Sequence, residues 1–384
     1  MDLQTILMII GFSLAAYSIV ANDAIQTLGT FLASNSHRPW WVLWLFAMSI
    51  LSAVLVYGWY THGGDASYGR LSKFPPPDAF TWIYLLPPVF VLLLTRFGVP
   101  VSTTFLVLTV FVTANLEKML MKSLLGYVVA IAVGLVVYLV VAAQAEKYFI
   151  RTADEKKPEA YWTVLQWVST GFLWSQWLMH DLANIFIYAP TAGMNAEGVR
   201  TISETWLWAA LAWFFILHAV IFYQRGGGIQ KIVTSKTNTQ DIRSATIVDF
   251  IYAIILVVFK QMSNIPMSTT WVFLGLLAGR EFAIAYVTRL RKPTTVAKIV
   301  GTDMGKAGIG LAVSVALAFL APSLKNLMTS PSEPTAKTSI SAPATSTLLP
   351  QAIEKKKDEV KPLEKISSAE KYTELDKRKE RIPQ

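Results

Sequence analysis

Two short polar motifs stand out in otherwise apolar sequence. Pro-Val-Ser-Thr-Thr at residues 100–104 recurs as Pro-Met-Ser-Thr-Thr at residues 266–270. Proline is favoured at a helix start and a following serine is a good N-cap, so each motif predicts extended chain that turns into a helix. The N–H groups and the dipole at such a start attract anions. The candidate anion ligands are therefore Ser102, Thr103, Thr104, Ser268, Thr269 and Thr270.

A carboxylate precedes each hydroxyl motif, again within apolar sequence. Asp23 lies in Ala-Asn-Asp and Asp181 in Met-His-Asp, at nearly the same separation as the two motifs. This doubled pattern indicates an internal repeat, and it favours a shared binding site over simple helix capping by the hydroxyl residues. An aspartate at the centre of a bilayer costs at least ~2.5 kcal/mol, so we interpret both acids as functional. The alternative for Asp23 is a helix N-cap at the membrane edge.

The two acids restrict what the predicted site can bind. Asp23 and Asp181 would repel an oxyanion unless they also hold a cation or a proton. A set of Asp, Asn, Gln and Thr oxygens suits a hard cation such as Na⁺. A carboxylate can instead accept the proton of hydrogen phosphate, which sulfate lacks, and an acceptor left unpaired would disfavour sulfate. Because each charge moved against a membrane potential costs ~2.3 kcal/mol per 100 mV, accumulation of an anion requires co-transported cations.

The composition is that of an integral membrane protein. The 384 residues are 53% hydrophobic and 15% charged, whereas soluble domains carry roughly 25% charged residues. Several apolar runs reach the roughly 20 residues that span a bilayer. The net charge of +9 comes from Lys and Arg in loops and in the tail, which suits a lipid surface. We therefore expect a lipid bilayer, and no nucleic acid, as partner.

Apolar runs and breakers predict an all-α fold with about 10–12 membrane segments. They lie near 3–21, 24–34, 40–60, 79–95, 102–116, 120–145, 161–178, 182–190, 203–224, 244–261, 267–284 and 306–322. Four of them adjoin the motifs: 24–34, 102–116, 182–190 and 267–284. Non-helical backbone at membrane depth must be buried or line a cavity, so these four predict broken or re-entrant half-helices around a central site. The predicted divisions are a first transmembrane repeat at 1–145, a charged linker at 146–160, a second repeat at 161–322 and a disordered charged tail at 323–384.

The sequence around both motifs resembles the inorganic phosphate transporter (PiT) family. Residues 21–30, Ala-Asn-Asp-Ala-Ile-Gln-Thr-Leu-Gly-Thr, are similar to that family's Ala-Asn-Asp-Val-Ala-Asn-Ser-Phe-Gly-Thr signature. Residues 98–104, Gly-Val-Pro-Val-Ser-Thr-Thr, resemble its Gly-Leu-Pro-Val-Ser-Thr-Thr-His. The same pair recurs in the second half at residues 180–184 and 264–270. The resemblance covers residues 1–322 and does not extend to the tail.

The resemblance implies an inverted-repeat carrier of the cell membrane, a homodimer that moves phosphate together with Na⁺ or H⁺ and needs no other cofactor. Some relatives carry metal-phosphate or sulfate instead. Gly275 and Gly279 keep the family's four-residue spacing of small residues, which allows close helix packing. Carried over by position, the residues that line the ion and substrate site beside the six hydroxyl residues are Asn22, Asp23, Gln26, Asp181 and Asn184.

Departures from the family pattern bear on the coupling ion. Gln26 and His180 stand where the family has asparagine. Phe105 and Trp271 replace the histidine that follows each hydroxyl motif. Histidine titrates near neutral pH, so His180 is either an ion-binding residue, as a proton acceptor or cationic anion ligand, or a structural hydrogen-bonding residue. This substitution weakens the case for Na⁺ in the second half and favours a proton.

Two other functions stay open on the sequence alone. A sulfate or other oxyanion permease would share the same fold, and a transporter-like sensor or scaffold would bind its ligand without moving it. An enzyme is not expected, because the sequence has no phosphate-binding loop, no nucleophile–base set and no metal-ligand spacing, and its four histidines are scattered.

Overall fold

The chain is almost entirely helical in the computed structural model, which describes residues 2–152, 158–226, 230–236, 238–262 and 266–329. The helices of these residues are α1 Leu3–Ile19, α2 Ile25–Ser34, α3 Trp40–Thr61, α4 Leu86–Arg96, α5 Thr103–Phe111, α6 Leu116–Val137, α7 Ala143–Thr152, α8 Ala160–Phe186, α9 Glu204–Tyr223, α10 Gln230–Thr234, α11 Ile242–Met262, α12 Thr269–Thr288 and α13 Pro293–Thr329. Two-residue strands, β1 Gly193–Met194 and β2 Arg200–Thr201, form a small antiparallel pair.

Seven of the described helical segments are long and apolar enough to cross a bilayer. They are Leu3–Asp23, Trp40–Thr61, Thr113–Val140, Glu204–Tyr223, Ile242–Phe259, Thr269–Thr288 and Pro293–Lys325. Helix α8 has 27 residues, which is also enough to cross, although it is more polar than these seven. The predicted all-α, multi-pass membrane fold is confirmed.

The break predicted before residue 24 is a π turn rather than a gap between two helices. Helix α1 passes through a π turn at Val20–Ala24 and continues directly as α2. The turn carries Asn22 and Asp23, and the Thr27 hydroxyl donates to the Asp23 carbonyl at 2.9 Å. Such single-turn insertions are frequent at functional sites because they change which way the side chains point.

The break predicted between residues 178 and 182 is wrong. Helix α8 runs without interruption through His180 and Asp181 to Phe186. The physical reason is local: residues 175–186 contain no proline or glycine, and a polar side chain inside a helix does not break it when it finds partners across the protein. Asp181 therefore projects from a regular helix.

The boundaries predicted around the linker and the tail also change. A second π turn at Tyr138–Ala142 joins α6 to α7, so helical structure continues to Thr152 inside the predicted linker. Helix α13 begins at Pro293 and passes through Pro322 to Thr329, beyond the predicted start of the tail. From residue 330 onward, the predicted disordered tail lies outside the described residues.

The predicted charged linker begins with a buried ion pair. The Arg280 guanidinium of α12 donates to Glu146 Oε1 at 2.8 Å, and both side chains are fully buried. Glu281 lies 3.2 Å from the same arginine, and the Ser244 hydroxyl donates to Glu146 at 3.0 Å. Glu146 thus fastens α7 to α11 and α12 rather than facing solvent.

Two sets of loops define opposite ends of the helical body. At the first end, Trp59 Nε1 donates to the Ile202 carbonyl at 2.9 Å and Arg200 donates to the Phe74 carbonyl at 2.8 Å. At the second end, Arg225 donates to the Arg38 carbonyl at 2.9 Å. These contacts give each helix a direction between the two ends.

Two helical hairpins enter the body from these opposite ends. Hairpin α4–α5 starts after the first-end loop, and Asn115, just beyond α5, donates to the Lys73 carbonyl of that loop at 3.0 Å. Hairpin α11–α12 starts at the second end, and Arg291, just beyond α12, lies 3.5 Å from the Ser235 carbonyl there. Helix α5, with 9 residues, is short as predicted at the first hydroxyl motif, whereas α11 and α12, with 21 and 20 residues, have the length of full crossings. An inverted relation of the complete halves stays a prediction.

Small residues allow α6 and α12 to pack with their backbones almost in contact. A Cβ atom added at Gly275 would lie 2.6 Å from the Tyr127 carbonyl oxygen, and one added at Gly134 would lie 2.6 Å from the Leu276 carbonyl oxygen. At Gly279 the added atom would meet the α6 backbone even more closely. The close packing expected at Gly275 and Gly279 is therefore present, with α6 as the partner.

We expect Gly279→Ala to lower stability by about 1–3 kcal/mol, because the new methyl group overpacks the α6–α12 contact. The matched control is Gly305→Ala in α13, where no atom lies within 4 Å of the added Cβ; there alanine should be neutral or stabilising by up to ~1 kcal/mol. Thermal unfolding of the detergent-purified proteins measures both. Equal melting temperatures for the two variants would contradict the close packing.

Candidate functional site

Both hydroxyl motifs start helices, as the sequence predicts. The Ser102 hydroxyl caps α5 by accepting from the Phe105 N–H at 3.4 Å, and Ser268 caps α12 by accepting from the Trp271 N–H at 3.2 Å. The Ser268 N–H itself donates to the Ser123 hydroxyl of α6 at 2.8 Å. The first threonines of each helix are thus held at fixed positions inside the protein.

The first carboxylate lies against the start of α5. Asp23 is 1% exposed, and its Oδ2 accepts a short hydrogen bond from the Thr103 hydroxyl. Its Oδ1 accepts from the Asn22 amide at 2.5 Å. The π turn therefore presents Asp23 directly to the helix N-terminus that the sequence proposes as an anion site.

The second carboxylate meets the same helix start from the other half of the chain. Asp181 Oδ1 accepts from the Thr104 hydroxyl at 3.1 Å and from the Asn184 amide at 2.8 Å. The Asn184 amide also lies 3.1 Å from the Thr103 hydroxyl. Two consecutive threonines, Thr103 and Thr104, consequently serve one carboxylate each.

The second threonine pair faces the same two acids in crossed order. The Thr269 hydroxyl faces Asp181, and the Thr270 hydroxyl faces Asp23. Thr270 Oγ1 also lies 3.0 Å from the Val101 carbonyl oxygen, and a hydroxyl with one hydrogen can donate to only one of these partners. Both hairpins thus contribute to one buried site, which is the convergence that the repeated sequence pattern predicts.

Asn22 acts as a clamp between α1 and the tip of the first hairpin. Its amide nitrogen donates to the Val101 carbonyl at 2.7 Å, and its amide oxygen lies 3.4 Å from both the Val101 N–H and the Thr95 hydroxyl. Its polar atoms are therefore occupied by the protein. This geometry gives Asn22 a positioning role at the site predicted to bind the ion.

Three other predicted ligands keep polar atoms without a hydrogen-bond partner among the described residues. These atoms are both amide atoms of Gln26, Oδ2 of Asp181 and Oδ1 of Asn184, and all are fully buried. Unpaired buried polar atoms cost roughly 1–3 kcal/mol each. The site therefore fits a ligand that can form hydrogen bonds with the amide of Gln26 and that brings a donor or a cation to Asp181 Oδ2 and Asn184 Oδ1.

The charge of the site also calls for a cation. Asp23 and Asp181 repel each other, and none of the ion pairs between described residues includes either of them. No cluster of three or more His, Cys, Asp or Glu side chains suited to a metal occurs in the described part of the chain. A carboxylate–hydroxyl–amide set of this kind suits a proton or a hard monovalent cation rather than a transition metal.

His180 points its ring toward the backbone of α11. Nε2 lies 2.9 Å from the Leu256 carbonyl oxygen, and only a protonated Nε2 can donate to it. Nε2 also lies 3.3 Å from the Arg70 guanidinium, whose N–H groups can only donate. The geometry supports an imidazole protonated at Nε2 that links α8 to α11, which is the structural role of the two predicted for His180.

Arg70 reaches the site from a segment that the sequence indicates only as a loop. It lies on a short 3₁₀ helix, Arg70–Lys73, and its side chain is 2% exposed. Burial lowers the pKa of Arg70 to about 10, and the charge of Asp181 acts in the opposite direction. The guanidinium therefore stays protonated at neutral pH. Loop composition carries no signal for this placement.

Asp249 is a further buried acid, located on α11 toward the second end. Its two oxygens accept from the Thr30 and Thr170 hydroxyls, each at 2.5 Å, and Gln166 donates to the Thr170 hydroxyl at 3.1 Å. The signal that could have identified Asp249 is the one used for Asp23, a single acid in an apolar run.

A cavity of about 250 Å³ approaches the site from the second end. Thr95, Arg96 and Gln224 contribute its polar lining. Ala21, in the π turn that carries Asp23, also lines this cavity, and the Thr95 hydroxyl contacts Asn22 of the same turn at 3.4 Å.

The fold is similar to a solved structure of a sodium-dependent phosphate transporter. The two superpose with a TM-score of 0.52 and 17% sequence identity, over 84% of this chain and 100% of that chain. No protein-family model and no curated protein matches the sequence. At this identity the likeness establishes a shared fold, and the function must be argued from the site.

We expect Asn22→Ala to lower stability by about 1–3 kcal/mol, because it removes the clamp and leaves the buried Val101 carbonyl without this donor. Asn115→Ala is the control, since its single bond to the Lys73 carbonyl is exposed. Thermal unfolding should show a clear loss for the first variant and little change for the second. A loss of similar size in both would argue against the clamp.

Proposed function

We propose that the protein is a secondary active transporter that carries inorganic phosphate across the cell membrane by alternating access, coupled to Na⁺ or H⁺. The observation that carries the proposal is the buried convergence of two carboxylates and two threonine pairs from opposed hairpins. The shared fold with a sodium-dependent phosphate transporter supports it. A homodimer of such carriers is part of the proposal by resemblance to the family.

The site chemistry supports a role for each group. The starts of α5 and α12 offer N–H groups and hydroxyls, which suit the oxygens of an anion. Asp23 and Asp181 would hold the driving cations, and these cations in turn would offset the repulsion between the carboxylates and the substrate. Gln26 and Asn184 would orient the substrate through their amides. Anion and cation each make the binding of the other more favourable, which is the basis of coupling.

The unpaired atoms favour phosphate over sulfate. Asp181 Oδ2 and Asn184 Oδ1 are both able to accept a hydrogen bond, and hydrogen phosphate brings a hydroxyl that can donate to one of them. Sulfate is fully ionised at neutral pH and offers acceptors only, so it would leave such an oxygen unpaired. Sites that depend on a matched donor reject the analogue that lacks it more strongly than apolar pockets do.

Substitution of the central contacts tests the proposal. We expect Asp23→Asn and Thr103→Val each to abolish phosphate uptake by the protein in proteoliposomes, because one removes the cation-binding charge and the other the hydroxyl shared with the substrate site. The controls are Asp78→Asn and Thr61→Val, whose side chains are exposed. Wild-type uptake in both central variants would reject the assignment. In the same vesicles, separately imposed sodium and pH gradients identify the coupling ion.

The preference for a protonated oxyanion is a separate prediction. Excess unlabelled sulfate should compete poorly with labelled phosphate, whereas unlabelled phosphate should compete fully. Strong competition by sulfate would instead favour the alternative of a sulfate or general oxyanion permease. A phosphate-dependent rise in melting temperature without any flux would favour a transporter-like sensor or scaffold.

A further inference from the structure

The loop that carries Arg70 has a hydrogen-bonded turn just before this buried arginine. Asp65 Oδ1 accepts from the Ser67 N–H and Oδ2 from the Gly69 N–H, both at 2.6 Å. Gly69 has a φ of 76°, a left-handed conformation that glycine adopts without strain. This turn directs the next residue, Arg70, inward.

The guanidinium arrives beside the second carboxylate. Arg70 lies 3.3 Å from His180 Nε2, next to Asp181 in the chain, and it interacts electrostatically with Asp181. Lys122 lies close enough for its charge to act on Arg70. Arg70 therefore brings positive charge toward Asp181, whose buried Oδ2 has no hydrogen-bond partner within the described part of the chain.

A second buried arginine at the same end, Arg200, contacts only backbone carbonyls among its recorded partners and serves as a structural comparison for Arg70. Arg200 donates to the Ile187 carbonyl at 2.9 Å and to the Phe74 carbonyl at 2.8 Å, so it ties two loop segments together. Burial lowers its pKa to about 10, as it does for Arg70. The two arginines match in burial and charge, and they differ in that only Arg70 interacts with a carboxylate of the central site.

We propose that Arg70 is the residue that attracts and orients the doubly charged oxyanion on the first-end side of the central site. The inference rests on the proposed function and adds a specificity-determining cation to it. A guanidinium can bind two oxygens of a phosphate group at once through its parallel N–H groups, and it discriminates by charge. The central hydroxyls and amides are neutral, so Arg70 supplies the positive charge that they lack.

The test compares Arg70→Gln, Arg70→Lys and the matched control Arg200→Gln in the full-length protein. Arg70→Gln should raise the KM for phosphate by at least about tenfold, the lower limit for lost electrostatic attraction at a charged cleft. Arg70→Lys keeps the charge without the two-pronged geometry and should lie between Arg70→Gln and wild type. Arg200→Gln should lower the melting temperature and leave the KM of the folded fraction unchanged. A wild-type KM in folded Arg70→Gln would overturn the inference.

Two further measurements keep the inference separate from folding and from transport itself. If Arg70→Gln does not fold, Arg70→Lys decides: an unchanged KM overturns the inference and an increased KM supports it. Calorimetric binding of inorganic phosphate to the purified protein gives the same comparison without flux. Wild-type phosphate uptake by Asp23→Asn and Thr103→Val would reject the proposed function. If those two variants lose uptake but both Arg70 variants keep the wild-type affinity for phosphate, only the role of Arg70 is rejected.

Discussion

Two carboxylates buried side by side are the constraint on which this structure depends. Consecutive hydroxyls at the start of α5 donate to one acid each, Thr103 to Asp23 and Thr104 to Asp181. Hydroxyl donors reduce the cost of burying these groups but do not supply a counter-charge. In the proposed function, a cation or a proton accompanies the acids. The start of α5 contacts both acids. A cation bound at either acid would therefore change the position or charge environment of the same helix start that would hold the anion, and this shared contact offers a direct physical route to coupling.

The two halves of the chain bring equivalent acids to the site with different backbones. Asp23 sits on a π turn, and Asp181 sits on a regular helix. The π turn frees the Asp23 carbonyl for the Thr27 hydroxyl and sets the Asn22 clamp against the hairpin tip. Asp181 needs no such distortion, because Asn184 lies one turn further along the same face of α8 and donates to it. The two halves thus bring similar side chains to one site on different backbone geometry.

The parts of this site that depend on local pattern could be predicted, and those that depend on distant pairing could not. Proline followed by serine and threonine is typical of a helix start, and a lone acid in an apolar run is typical of a buried group. Both hydroxyl motifs, Asp23 and Asp181 could therefore be predicted from the sequence. The inward position of Arg70 depends on a turn around Asp65 and on space beside α8, neither of which has a periodic signal. The buried pair of Glu146 and Arg280 similarly joins residues far apart in the chain, whereas composition alone predicts only that Glu146 belongs to a charged linker.

Gln26 is a buried polar side chain whose position bears on the selectivity of the proposed site. It is 3% exposed, and neither amide atom has a partner among the described residues. A buried amide without hydrogen bonds lowers the stability of the fold by roughly 1–3 kcal/mol relative to a paired one. A glutamine on the surface avoids this loss because water pairs with its amide. The longer side chain, in place of the family's asparagine, extends the amide by one methylene from a helix that is anchored by Asn22 and Asp23 one turn earlier. A ligand that forms hydrogen bonds with this amide would recover the lost hydrogen-bonding energy, in addition to the energy of its contacts with the rest of the site. In the proposed function, these amide atoms would contribute to the affinity of the site and to its selection of ligands by hydrogen-bonding pattern.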